Sequence, residues 1–138
     1  MSTTVVNIRD RGGFDVYIGR AARRALDARA RVESPFANPY TERACGTREA
    51  AVARYEELMR RRLVRGGAVG VVVGVRAAAW SAERWRRELL ALRGTRLGCW
   101  CHPDPCHGHV LVRLIDELVE GRLPEIEKGS SVNRRARA

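Results

Sequence analysis

Residues 95–121, "TRLGCWCHPDPCHGHVLVRLIDELVEG", run a short strand, a proline-containing turn and an amphipathic helix into one continuous stretch. A strand that passes so abruptly into a helix has to pair with neighbouring strands while the helix lays its apolar face on the sheet, which predicts the α/β class. "TRLGCWC" reads as the strand, "HPDP" as the turn, and "CHGHVLVRLIDELVEG" as the helix closed by Gly121. Residues 99–109 also hold three of the four cysteines and all three histidines. The chemistry-bearing side chains therefore sit at the joint, where open α/β sheets bind ligands beyond the carboxyl ends of their strands.

The rest of the chain fits the same class. "TTVVNIRD" and "FDVYIGR" are short runs with β-branched and aromatic residues, separated by "RGG", and read as two strands or a strand and a turn. "RAARRALDARARVE" (20–33) is rich in alanine and arginine and reads as helical, with poor periodicity. "SPFANPY" (34–40) is irregular, because two prolines and an asparagine fall within seven residues. "GTREAAVARYEELMRRRL" has a Thr47 cap, and its Ala51, Val52, Tyr55, Leu58 and Met59 form a helical stripe. The valines of "GGAVGVVVGV" favour a strand. "SAERWRRELLALRG" gives another helix, with Ser81 as cap, Trp85, Leu89 and Leu92 on one face and Gly94 as stop. The expected fold is a single domain over residues 1–121, a small Rossmann-like sheet with flanking helices, followed by a basic, disordered tail over 122–138.

The formal net charge is +10, from 26 basic against 16 acidic residues, and nearly all the basic ones are arginine. The tail contributes five basic and two acidic residues, so most of the excess lies on the domain. A field of that sign attracts polyanions, although arginine-rich solvated helix faces account for part of it. No stretch is long and apolar enough to span a membrane, and "MSTTVVNIRD" lacks the layout of a signal peptide. A cytoplasmic protein with reduced cysteines and no membrane partner is expected. Nucleotide-loop and zinc-protease motifs are absent from the sequence.

Three readings of the cysteine cluster stay open. Cys99 and Cys101 share one face of an extended strand, with Trp100 on the other, and the turn returns Cys106 toward them. With His107 they make a candidate Cys₃His zinc set; iron–sulfur ligation would need a fourth cysteine, and Cys45 is distant in sequence. Alternatively, Cys106 opens the following helix, where the helix dipole lowers a thiol pKa and cradles an anion; Cys106 is then a nucleophile or acid and His107 its proton partner. In the third reading the cysteines are small buried hydrophobes and the prolines only shape the turn. Elsewhere, Arg20 follows a strand and can fork onto a phosphate. Asn38 serves a turn or presents an amide to a ligand. Thr47 and Arg48 open a helix N-terminus that can also seat an anion.

In "VYIGR", "SPFANPY", "GTREAAVARYEEL" and "LRGTRLGCWCHPDPCHGHVLVRLID", in that order over about residues 5–118, the chain resembles the uncharacterised bacterial and phage proteins grouped as domain of unknown function 4326. The resemblance implies a shared site built from Arg20, Asn38, Arg48, Cys99, Cys101, Cys106 and His107, and it implies no reaction. Relative to shorter relatives, "GGAVGVVVGVRAAAWS" reads as an expansion between two helices.

Residues and resemblance together predict a pocket for a phosphate-bearing ligand, nucleotide or nucleic acid, at the Cys/His turn. Cys106 and His107 are its candidate catalytic pair, and Arg20, Asn38, Thr47, Arg48 and Cys99 its ligand contacts. Two alternatives are a zinc-stabilised nucleic-acid-binding module and a phage or host accessory protein that binds another protein.

Overall fold

The computed structural model describes residues 2–71 and 78–128. Strands β1 (Thr4–Asn7), β2 (Val16–Tyr17) and β5 (Arg96–Cys99) form an all-parallel sheet in the order β1-β5-β2. Its register pairs Val5 with Leu97 and Asn7 with Cys99 on one side, and Tyr17 with Gly98 on the other. A two-stranded antiparallel ribbon joins β3 (Gly67–Ala68) to β4 (Ala79–Trp80). The valine-rich strand is thus met only at Gly67–Ala68, and Val72, Val73 and Val75 lie outside the described residues.

Four α-helices complete the described architecture: α1 (Glu42–Cys45), α2 (Arg48–Arg65), α3 (Ala82–Leu90) and α4 (His107–Val119). Each longer helix starts where the sequence supplies a cap. Thr47 Oγ1 accepts from the Ala50 amide at 3.0 Å and Ser81 Oγ from Arg84 at 3.2 Å, satisfying donors that the first turn leaves free. The predicted stripes then face inward, with Ala51, Tyr55 and Met59 on α2 and Trp85 and Leu89 on α3 all buried. No helix among the described residues is long and apolar enough to cross a membrane.

Side-chain alternation divides the sheet between two cores. Val5, Val16, Leu97 and Cys99 join the core formed with α2, α3 and α4, where Met59, Leu63, Trp85, Leu111, Leu114 and Ile115 are fully buried. Val6, Tyr17 and Trp100 turn to the opposite face, which Phe14, Ala25 and Ala30 close. A Cβ on Gly98 would lie 2.6 Å from the Phe14 ring, so a glycine there lets the ring rest directly on the central strand.

The opposite face corrects the sequence reading of residues 20–33. The only helix there is a four-residue 3-10 turn, Ala28–Arg31, capped by Asp27. Alanine and arginine have high helix propensity, but this run has no apolar stripe to bury, so propensity is overruled. The segment instead folds as an irregular cover held by Arg29, whose guanidinium lies 3.9 Å from the Phe14 ring centroid and donates to Phe14 O at 3.0 Å.

Arg62 is 1% exposed, set 4.4 Å from the Trp85 ring centroid, and donates to Gly70 O at 3.1 Å. Residues 122–128 run back over the body, Glu127 N donating to Val64 O at 2.9 Å and its carboxylate meeting Arg65 at 2.7 Å. Residues 129–138 of the expected tail lie outside the described residues.

Candidate functional site

All three parallel strands release the chain at one edge, and the pocket opens there. Beyond β2 come Gly19 and Arg20, beyond β5 come Trp100 and Cys101, and α4 begins with Cys106 and His107. Together with Asn38, Tyr40, Glu42 and Arg48 these residues line a pocket of about 510 Å³. Seven residues spread over 88 positions of sequence, Arg20 to His107, thus meet around one hollow, and they are the seven the resemblance implies.

The turn that carries the sulfurs is pinned from β1. Asn7 Nδ2 donates to Trp100 O at 3.1 Å and to His102 O at 3.0 Å, fixing residues 100–102 across the sheet edge. Asn7 was not anticipated, because a lone asparagine at a strand end carries no pattern that points to a contact 95 residues away. Cys106 caps α4, its sulfur accepting from Gly108 N at 3.3 Å, as the sequence predicts. Gly108 has no room for a side chain: a Cβ would lie 2.9 Å from Ile18 Cδ1 and 3.0 Å from Val5 Cγ1.

The sulfurs form a graded cluster. The Cys106 thiol donates to Cys99 Sγ at 3.0 Å, and His102 N also donates to Cys99 Sγ at 3.4 Å. Cys99 and Cys106 are each 1% exposed, whereas Cys101 is half-buried at the pocket wall. The donated Cys106 thiol is the main influence lowering Cys99 to about 7 and Cys101 to about 6. Burial opposes both shifts, and Arg48 also pulls Cys101 down. Cys101 Sγ has no hydrogen-bond partner among the described residues, so Cys106 acts on it as a nearby thiol. Because the three share protons, the first ionisation belongs to the cluster. Cys106 moves the opposite way, pushed up by the neighbouring Cys101 and Cys99 sulfurs and by burial. The lowered thiol pKa expected for Cys106 at the helix start is therefore found on its two neighbours.

His107 is 8% exposed, with its ring edge-on to Tyr55 at a centroid separation of 5.0 Å. Its Nε2 lies 2.7 Å from Ile18 O, which can only accept, so Nε2 carries the proton and Nδ1 is left as an acceptor 3.7 Å from Cys106 Sγ. Burial lowers its pKa to about 4, the Ile18 carbonyl opposing the shift. In the unfolded chain the ring titrates near 6.5. Between those values the unfolded state binds the extra proton, so stability is full above about 6.5 and falls as the pH drops toward 4. The loss amounts to about 3 kcal/mol. Urea titrations at pH 7 and pH 4.5 are expected to show that loss in the natural protein and to show it much reduced in His107→Gln; an equal loss in both would place the pH sensitivity elsewhere.

Among the described residues no group of three or more His, Cys, Asp and Glu side chains is arranged to hold a metal ion. His107, which the zinc reading uses as fourth ligand, donates from Nε2 to Ile18 O and keeps Nδ1 open as an acceptor on the sulfur side. Cys45 is free and half-buried, and it does not line the pocket. His102 and His109 pair with each other, ring centroids 5.5 Å apart, outside the pocket wall.

The remaining predicted contacts divide by what their side chains already do. Arg20 lines the pocket and has no side-chain partner among the described residues. Arg48 is held by Asp104 at 3.1 Å and Glu42 at 3.6 Å. Asn38 is spent inside the protein, accepting from Tyr40 N at 2.9 Å within its loop and donating to Ala51 O on α2 at 3.3 Å. Thr47 caps α2 and faces a shallower hollow of about 330 Å³ that it shares with Glu42, Arg48, Glu49 and Asp104, where three carboxylates surround one guanidinium. Tyr40, Glu42 and Trp100 are wall residues the sequence reading missed. "NPYTE" from Asn38 onward is the available signal for the first two, while strand alternation places Trp100 on the face away from the sulfurs.

An uncharacterised 12.4 kDa protein from the nrdA-td intergenic region of Enterobacteria phage T4 is 31% identical over 83 residues, covering 60% of this chain. The match spans 62% of that relative's length. No solved structure matches the chain. A family model matches residues 6–117, from within β1 to within α4 and across every wall of the pocket; the chain belongs to the family described as domain of unknown function DUF4326.

Proposed function

We propose that the pocket binds a phosphate-bearing ligand of nucleotide size. The observation that carries this reading is the meeting of Arg20, Arg48 and the start of α4 in one hollow beyond the parallel strands. Its volume of about 510 Å³ lies in the range of small-molecule sites. Arg20 supplies an uncommitted fork for a phosphate, Arg48 is held in place by two carboxylates, and the helix start favours negative charge. Tyr40 and Trp100 add flat apolar surface for a base. The sulfur placed to act on a bound ligand is Cys101, which is half-buried, shares the lowered first ionisation of the cluster, lies near the Arg48 charge and faces the pocket. Cys106 then serves as the donor that stabilises the thiolate, and His107 holds the start of α4 against Ile18.

The test is calorimetric titration with nucleoside monophosphates. The natural protein is expected to bind at least one of them, and an Arg20→Ala, Arg48→Ala double variant to bind about 100-fold more weakly, each lost charge-assisted contact costing about 1.5 kcal/mol or more. Equal affinity in the double variant, or no binding by the natural protein at millimolar nucleotide, would overturn the reading.

A further inference from the structure

The cover on the second face of the sheet uses its arginines unequally. Arg29 chelates Asp27 and donates to Phe14 O, and Arg31 donates to Ala25 O at 2.8 Å and Leu26 O at 3.1 Å. Backbone bonds from Ala22 N to Ala30 O and from Ser34 N to Gly19 O close the loop on itself, over buried Ala25 and Ala30. This segment is built, with its shape fixed from inside. Arg20, Arg23 and Arg24 are nevertheless exposed and have no side-chain partner among the described residues, and Leu26 beside them is 98% exposed. The one acidic residue between 20 and 31, Asp27, is already taken by Arg29. Three like charges held close on a pre-shaped loop repel one another, and a polyanion relieves that repulsion.

The same loop forms one wall of the pocket through Gly19, Arg20, Ala21 and Ala22. Tyr40 and Trp100 line it too, and each carries an exposed arginine against its ring: Arg54 at 5.8 Å from Tyr40 and Arg9 at 5.0 Å from Trp100. Aromatic faces interleaved with cations are the means by which single-stranded nucleic acid is held, bases on the rings and phosphates on the guanidinium groups. The pocket has room for one nucleotide and none for a duplex.

We propose that the pocket is the nucleotide-accepting end of a site for single-stranded nucleic acid. One nucleotide enters the pocket while adjoining phosphates run over Arg20, Arg23 and Arg24, with Arg9 and Trp100 at the mouth. This rests on the nucleotide reading above and adds the polymer to it.

The experiment compares, on the full chain, a labelled single strand of about a dozen nucleotides with a nucleoside monophosphate, for the natural protein and an Arg23→Ala, Arg24→Ala variant. The strand is expected to bind at least about tenfold tighter than the mononucleotide, with a log–log salt slope of about −2. The variant is expected to lose about tenfold on the strand while its mononucleotide affinity and melting temperature stay unchanged. Equal affinity for strand and mononucleotide would end the polymer proposal and leave the nucleotide pocket standing; binding of neither would end both. Duplex bound as tightly as single strand would contradict it. So would binding to phosphatidylglycerol vesicles that needs Arg23 and Arg24 while the strand does not bind, which would make the loop a membrane-surface contact.

Discussion

Limited alkylation with iodoacetamide at neutral pH is expected to modify Cys101 at least about tenfold faster than Cys99 or Cys106. Two conditions govern the rate, thiolate fraction and access. Cys99 has thiolate character but is 1% exposed, and Cys106 is equally buried and is the proton donor of the cluster. Only Cys101 combines a lowered pKa with a half-buried position on the pocket wall. Cys45, half-buried and away from the pocket wall, is the internal reference for alkylation outside the cluster. Replacing Cys106 by alanine removes the neighbouring thiol that does most to lower Cys101 within the cluster, so Cys101 in that variant should react several-fold more slowly at pH 7. Peptide mapping by mass spectrometry over time reads both effects. Fast labelling at Cys106, or no change at Cys101 in the Cys106→Ala variant, would contradict the assignment of roles within the cluster.

Trp85→Ala is expected to cost about 4 kcal/mol of stability, a large share of the 5–15 kcal/mol typical of a domain. The indole is fully buried between α2 and α3, edge-on to Phe36 at 5.7 Å and tilted against Trp80 at 4.8 Å. Its Nε1 donates to Gly67 O at 3.1 Å, which ties the short ribbon to the helical layer. Removal leaves a cavity, an unpaired carbonyl and the buried Arg62 guanidinium without the ring it rests on. Urea unfolding followed by circular dichroism measures the loss. A cost below about 1.5 kcal/mol would mean that this core collapses to fill the gap.

Trp85 also shows why much of the fold was legible in the sequence. A wide apolar stripe with a serine or threonine cap leaves a helix no alternative burial, so α2 and α3 follow from Thr47, Ser81 and the spacing of Tyr55, Met59, Trp85 and Leu89. The placement of Cys99 on one face and Trp100 on the other follows equally from strand alternation. Residues 20–33 misled because alanine and arginine favour a helix locally while no stripe commits them to one; Asp27 and the carbonyl contacts of Arg29 and Arg31 decide the conformation.

The candidate site was legible as a set of residues and illegible as a division of labour. Seven residues meet at one pocket because the three strands run parallel, so every strand's carboxyl end lies at the same edge. Which sulfur gives its proton depends on a 3.0 Å contact between positions seven apart, which no spacing rule contains. Asn38 and Thr47 were expected to meet a ligand, but their side chains already satisfy backbone groups within the protein.

Protection of Cys101 from alkylation by nucleoside monophosphates measures the central claim most directly, because the reactive sulfur lies on the wall of the pocket that Arg20 and Arg48 also line. Saturating nucleotide is expected to slow modification of Cys101 about tenfold or more in the natural protein, to leave Cys45 unchanged, and to protect the Arg20→Ala, Arg48→Ala variant only at far higher concentration. Modification of Cys101 at the same rate with and without every nucleotide would contradict the account.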